Sequence, residues 1–239
     1  MPEFYSQYGE DRLLAEMFSQ KKGTCVEIGA LDGVRHSNTY HFEQRGWTCI
    51  LVEPNPISCQ AIRLRRKARL FECAVSDTTG ELDFVVSDEL PELSGFQPFV
   101  ERIHREHGTT RSVKVKVRTL NDVLGEASMD SIDFMTIDVE GHELSVLRGL
   151  SLDRWKPRVV IVEDGSEGTD CSVELAMRAA HYMPWRMTGN NMWYSHEGDI
   201  QFLNSANMRS FRRARAMRRI RHTFRPWLIE PLKSLRRRL

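Results

Sequence analysis

From the amino terminus, Leu13, Leu14, Met17 and Phe18 fall on one face of a helical stretch over residues 7–18, and Lys21-Lys22-Gly23 ends it. The next run, Thr24-Cys25-Val26-Glu27-Ile28, is short, rich in apolar residues and closed by Gly29, the pattern of a buried strand. Strand-like and helical runs then alternate through Cys49 to Glu53, Ile57 to Lys67 and Leu70 to Ala74. They resume through Ile132 to Asp138, Glu143 to Leu150, Val159 to Val162 and Val173 to Tyr182. Near-continuous apolar strands separated by helices belong to a parallel sheet covered on both faces, so the pattern predicts a doubly wound, mostly parallel α/β fold. Gly80 to Ser87 and Val113 to Arg118 instead alternate like half-exposed strands, which predicts a β excursion on the sheet's edge. Between them, Asp88 to Ser112 is an insertion of a length that compact domains keep for a lid or carry as a surface ornament.

Composition narrows this only modestly. With 41% hydrophobic and 28% charged residues, collagen-like, mucin-like and wholly disordered chains are excluded. No run approaches the ~20 apolar residues of a bilayer span, and the start of the chain lacks the pattern of a secretory signal, so the expectation is a cytoplasmic protein. The five cysteines include no C-x-x-C pair and read as reduced thiols. Charge changes the picture more. Residues 207–239 hold 12 Lys and Arg against one acid, Glu230, so a net charge of +1 divides into +11 there and −10 elsewhere. This predicts a domain over residues 1–206 and a basic amphipathic tail over 207–239, with Phe211, Met217, Ile220, Phe224 and Leu228 at roughly helical spacing. Such a tail meets an anionic membrane, placing the protein peripherally at its surface, or a polyanion such as RNA, or an acidic protein surface.

Ligands of open parallel sheets bind at the carboxyl ends of the strands. After the first strand, Glu27-Ile28-Gly29-Ala30-Leu31-Asp32-Gly33 places glycines where the backbone turns tightly against a ligand, without the G-x-G-x-x-G of dinucleotide binders. An acid before the first glycine suits a ligand with a cationic amino-acid end and points to S-adenosylmethionine. Glu53, followed by Pro54, ends the second strand where a carboxylate would clamp a ribose diol. Ala74, Val75 and Asp77 end the third strand where an adenine edge would be read.

In these motifs the sequence resembles the FkbM-type methyltransferases, within the class I S-adenosylmethionine-dependent enzymes. The likeness runs through Ser6-Gln7-Tyr8-Gly9-Glu10-Asp11, Val26 to Ala30, Ser37 to Tyr40, Gly46-Trp47, Val52 to Pro56, Ala74 to Asp77 and Ile132 to Glu143, and stops before the tail. It implies a seven-stranded sheet and methyl transfer, commonly to a hydroxyl of a sugar, glycan or natural-product acceptor. That reaction needs an aligned oxygen and a group to take its proton. Asp138, Glu140 and His142, after the fourth strand, are the candidate bases, and Asp138 also borders the cofactor position. Glu143 reads as the acid opening the following helix. His36, Ser37 and Asn38 are candidate acceptor contacts, with Ser37 equally suited to cap a helix beginning near Thr39. Asp138 with Glu163 and Asp164 resembles the ligand set of metal-dependent O-methyltransferases and would suit Mg²⁺. Two other functions remain open: RNA 2′-hydroxyl methylation, favoured by the tail and opposed by the acidic body, and a catalytically idle binding protein that keeps the fold.

Overall fold

The structure is a computed structural model that describes residues 3–19, 22–87, 94–96, 110–166 and 168–218. In chain order the first elements are α1 (Glu10–Met17), β1 (Thr24–Ile28), α2 (Tyr40–Glu43), β2 (Thr48–Val52), α3 (Pro56–Arg65) and β3 (Arg69–Phe71). There follow β4 (Ala74–Val75), β5 (Gly80–Ser87), β6 (Gly95–Phe96), β7 (Thr110–Arg118) and α4 (Leu120–Glu126). The remainder comprises β8 (Phe134–Ile137), α5 (Glu143–Arg148), α6 (Leu152–Trp155), β9 (Val159–Glu163), α7 (Ser172–Ala179), β10 (Tyr182–Thr188) and β11 (Asn191–His196). A last helix, α8, covers residues 205–218.

Seven strands form the main sheet in the order β10-β11-β9-β8-β1-β2-β3. The five from β9 to β3 run parallel, and β11 is antiparallel to both β9 and β10. The chain winds outward from β1 through β2 to β3, then returns to β8 and winds the other way, so the strand order reverses between β1 and β8. At that reversal Gly29 has φ 81°, and its N–H donates to the Val52 carbonyl at 2.9 Å. A Cβ on Gly29 would run into the Asp138 carbonyl, so glycine alone lets the ends of β1 and β8 approach this closely.

One apolar cluster lies on each face of the sheet. Phe18, Phe42, Trp47, Phe134, Trp185 and Trp193 lead the first. The other joins Val26, Val52, Ile137 and Val160 to Leu120 and Val123 of α4, Val146 of α5, Met177 of α7 and Phe211 of α8. The family's expected seven-stranded sheet is therefore present, and the details differ in three places. The run Leu70 to Ala74 is two strands, because β4 leaves the main sheet and pairs with β7, Ala74 opposite Val117. The two alternating stretches pair with each other, yet they build a separate four-stranded sheet, β4-β7-β5-β6, rather than extending the main edge. Their apolar residues Phe84, Val86, Val115 and Val117 close on one another and on Ala74, a small core of their own. Finally, α8 crosses the expected boundary at 206/207 and is anchored to the domain by buried Phe211. Of the expected insertion, residues 88–93 and 97–109 lie outside the described residues.

Candidate active site

A cavity of about 360 Å³ opens at the carboxyl ends of β1, β2, β4 and β8, over the strand-order reversal. Glu27, on β1, is buried and holds one wall. Its Oε1 accepts the Asn38 N–H at 2.6 Å, while its Oε2 accepts the hydroxyls of Ser37 at 2.8 Å and Thr39 at 2.5 Å. The buried guanidinium of Arg66 stands 3.9 Å away and also donates to Ser37 Oγ and Thr39 Oγ1. Burial raises the Glu27 carboxyl pKa, and Arg66 with these donors opposes the rise. Glu27 thus fixes the loop of residues 36–39 from beneath. Ser37 Oγ also accepts the Tyr40 N–H at 3.1 Å, so the hydroxyl secures the start of α2 as well.

Glu53, one residue past β2, accepts the N–H of Leu31 at 2.9 Å and of Asn55 at 2.8 Å, which ties the first two strand-end loops together. Burial lifts its pKa to about 7, against those two hydrogen bonds. Of the expected cofactor residues, Glu27, Gly29, Ala30, Glu53, Pro54, Ala74, Val75 and Asp138 line the cavity. Gly33 does not: its carbonyl accepts from Arg66 behind the loop. Asp77 does not either, and it accepts from the Ser76 hydroxyl at 3.1 Å. The expected acceptor contacts His36, Ser37 and Asn38 line the cavity, with His36 in the left-handed region at φ 62°.

On the far side lie the candidate bases. Asp138 is exposed at the cavity surface, although many protein atoms surround it. Desolvation by those atoms, then the neighbouring Glu163 and Glu140 carboxyls, holds its pKa well above the ordinary range, and Asp138 and Glu163 share a hydrogen bond. Glu140 sits at φ 55° and Gly141 at φ 93°, a strained turn that brings the Glu140 carboxyl back beside Asp138. Glu143 accepts the N–H groups of Val139 at 3.2 Å and Gly141 at 3.0 Å, bracing that turn at the start of α5. His142 Nε2 is 3.0 Å from Ser76 Oγ, and burial lowers its pKa, which keeps the ring neutral near pH 7.

Asp138, Glu140 and Glu163 bring carboxylate oxygens within 4.8 Å of one another. Asp164 is not among them. Its Oδ2 pairs with Arg218 of α8 at 3.1 Å, so the acidic trio differs by one residue from the expected metal set. Among the cavity residues that sequence reasoning did not single out, two bear on the site's polar groups. Thr136 lies two residues before Asp138 on β8, is 3% exposed, and has no partner for its hydroxyl among the described residues. Asn190, in the tight turn between β10 and β11, donates to Glu163 at 2.5 Å and holds that carboxylate at the cavity edge. The Gly189-Asn190 dipeptide is the turn signal from which Asn190 could have been found.

A seven-stranded sheet of this order, with a cavity over its reversal point and an acid at the tip of the second strand, defines a class I methyltransferase domain. Residues 27–184 match the methyltransferase FkbM domain, and the chain belongs to that S-adenosylmethionine-dependent family. It is 31% identical over 166 residues to the 2-O-methyltransferase NoeI of Sinorhizobium fredii, a match covering 64% of this chain and 67% of that protein. It is 28% identical over 146 residues to the 31-O-demethyl-FK506 methyltransferase FkbM of Streptomyces tacrolimicus, covering 50% of this chain and 56% of the relative. Among solved structures, an O-methyltransferase from Bacillus cereus in complex with SAH is 14% identical, with 80% of this chain and 82% of that chain covered and a TM-score of 0.40.

The cavity suits the family's cofactor. Two polar atoms on its wall, Thr136 Oγ1 and Asn38 Oδ1, are buried without a protein partner among the described residues, and a bound polar ligand would complete them. Glu53 has carboxylate lone pairs left beyond its two backbone donors, as a ribose clamp requires.

Proposed function

We propose that the protein transfers a methyl group from S-adenosylmethionine to a hydroxyl oxygen of a sugar, glycan or natural-product acceptor. The observation that carries this reading is the Asp138–Glu163 carboxyl pair at the edge of the cavity. When bound, the cofactor supplies an electrophilic methyl on a cationic sulfonium. Glu53 would accept from its ribose hydroxyls, and Thr136 and Asn38 would meet its remaining polar groups. Asp138 takes the acceptor's proton; its raised pKa makes it a stronger base than an ordinary carboxylate, and Glu163 steadies the proton it receives. His142, neutral and held against Ser76, borders the same cavity. Both named relatives methylate oxygen by their names, which supports the choice of atom.

Calorimetry should detect binding of S-adenosylmethionine and its demethylated product, and labelled methyl should then pass to glycosides but not to RNA. Absence of cofactor binding would overturn the reading. Turnover should rise with pH through the raised pKa of Asp138, because a carboxyl that already holds its proton cannot take the acceptor's.

A second reading uses a hard cation such as Mg²⁺, held by Asp138, Glu140 and Glu163, to lower the acceptor's pKa. It predicts that chelation abolishes turnover and leaves cofactor affinity unchanged; full activity after exhaustive chelation contradicts it. For residues 219–239, outside the described residues, we retain the expectation of contact with an anionic lipid surface.

A further inference from the structure

A second, larger concavity of about 950 Å³ continues from the cofactor cavity, and Glu140, Glu163 and Asn190 line both. Its floor is the carboxyl end of β9 with residues of α5, and its far wall includes Arg215 and Arg218 of α8. On that helix Met208, Phe211, Arg215 and Arg218 recur at spacings of three and four, a single face turned to the domain. Phe211 is buried and Met208 packs beside it. Arg215 continues the face by pairing with Glu174 of α7 at 2.9 Å. Arg218 pairs with the Asp164 carboxylate and also donates to the Asp164 carbonyl at 3.2 Å. The two arginines therefore dock the helix along the groove with their charges already matched.

The groove presents six carboxylates, Glu140, Glu143, Glu163, Asp164, Asp170 and Glu174, against those two guanidiniums. An anionic scaffold entering it would meet like charge, whereas a neutral or cationic one would not. We propose that this groove, walled by α8 through Arg215 and Arg218, seats the scaffold of the acceptor and admits neutral or amino-bearing sugars while rejecting acidic ones. The proposal rests on the hydroxyl-methylation reading for the chemistry delivered at Asp138, and it goes beyond that reading in making the basic helix part of the acceptor site. A polyphosphate acceptor such as RNA is disfavoured on the same grounds.

The test uses the full chain saturated with S-adenosylhomocysteine and three ligands of one ring: methyl glucoside, methyl glucosaminide and methyl glucuronide. Saturation-transfer NMR titrations should show the first two binding and the glucuronide at least tenfold weaker. Arg218→Ala should weaken the two binders by about tenfold with S-adenosylhomocysteine affinity unchanged, and Arg218→Lys should recover most of the loss. Equal binding of all three sugars, no binding of any, or binding indifferent to Arg218 would overturn the proposal. If Arg218→Ala does not fold, the charge series on the wild-type chain still decides. Sugar binding without methyl transfer would count against the proposed reaction and support the groove assignment.

Discussion

Burial lifts the Glu53 carboxyl to about 7, so between the ordinary glutamate range and neutrality the folded chain holds a proton that the unfolded chain has released. The sign follows directly. Stability is fullest below the unfolded pKa and declines as pH rises to about 7, because the native state must then ionise a buried group. Replacing Glu53 by Gln removes that titration. Relative to wild type, Glu53→Gln should gain roughly 2 to 3 kcal/mol between pH 5 and pH 8, whatever its offset at one pH. Urea melts of the cofactor-free protein at the two values check this, and a constant offset would show that Glu53 ionises normally. Glu53→Ala should weaken S-adenosylmethionine binding by about 1.5 to 3 kcal/mol through the lost charged hydrogen bonds to the ribose. At this scale the sequence located the acids better than their tasks. Glu27 was legible as a carboxylate before the first glycine, but its engagement by Ser37, Asn38, Thr39 and Arg66 depends on residues up to 39 positions away. Glu140 and Asp164 exchange places in the acidic trio because the turn at Glu140 folds one carboxylate inward while Arg218 holds the other outside.

Among the elements, β1, β2, β8 and β9 were readable because strands buried on both faces carry nearly unbroken apolar runs. The departure of Ala74–Val75 to pair with β7 was not, since two residues carry no periodicity and the partner lies more than 40 positions on. Helix α8 is the instructive case. Its exposed arginines at 209, 212 and 213 dominate the charge pattern and hide the stripe of Met208, Phe211, Arg215 and Arg218 that faces the domain. Because Phe211 is buried against the domain, Phe211→Ala should cost about 3 kcal/mol, as truncation of a buried aromatic does. Denaturant titration reads the loss directly. A change below about 1 kcal/mol would place Phe211 on a solvated tail instead.

For the whole molecule, the opposition of a basic carboxyl-terminal segment and an acidic body allows docking onto the domain itself or attraction to an external anionic surface, and α8 shows the first: two of its arginines pair with acids of the domain. Beyond it, residues 219–239 still carry seven Lys and Arg against one acid. Near an anionic bilayer each such cation contributes on the order of 1 kcal/mol, weakened by salt. The full chain should therefore co-sediment with anionic vesicles and not neutral ones, and a chain ending at residue 218 should lose that binding while keeping its cofactor affinity. Equal sedimentation of the two chains would contradict a lipid contact.

The central claim is that the methyl group is delivered to a hydroxyl oxygen beside Asp138. The most direct measurement supplies S-adenosylmethionine labelled with ¹³C in its methyl to the wild-type chain and to Asp138→Asn with a glycoside acceptor, and identifies the labelled product by NMR. The account predicts an O-methyl resonance from the wild type. It further predicts turnover reduced by about two to four orders of magnitude in Asp138→Asn, with the cofactor still bound. Label arriving on nitrogen, carbon or sulfur, or undiminished turnover in Asp138→Asn, would contradict it.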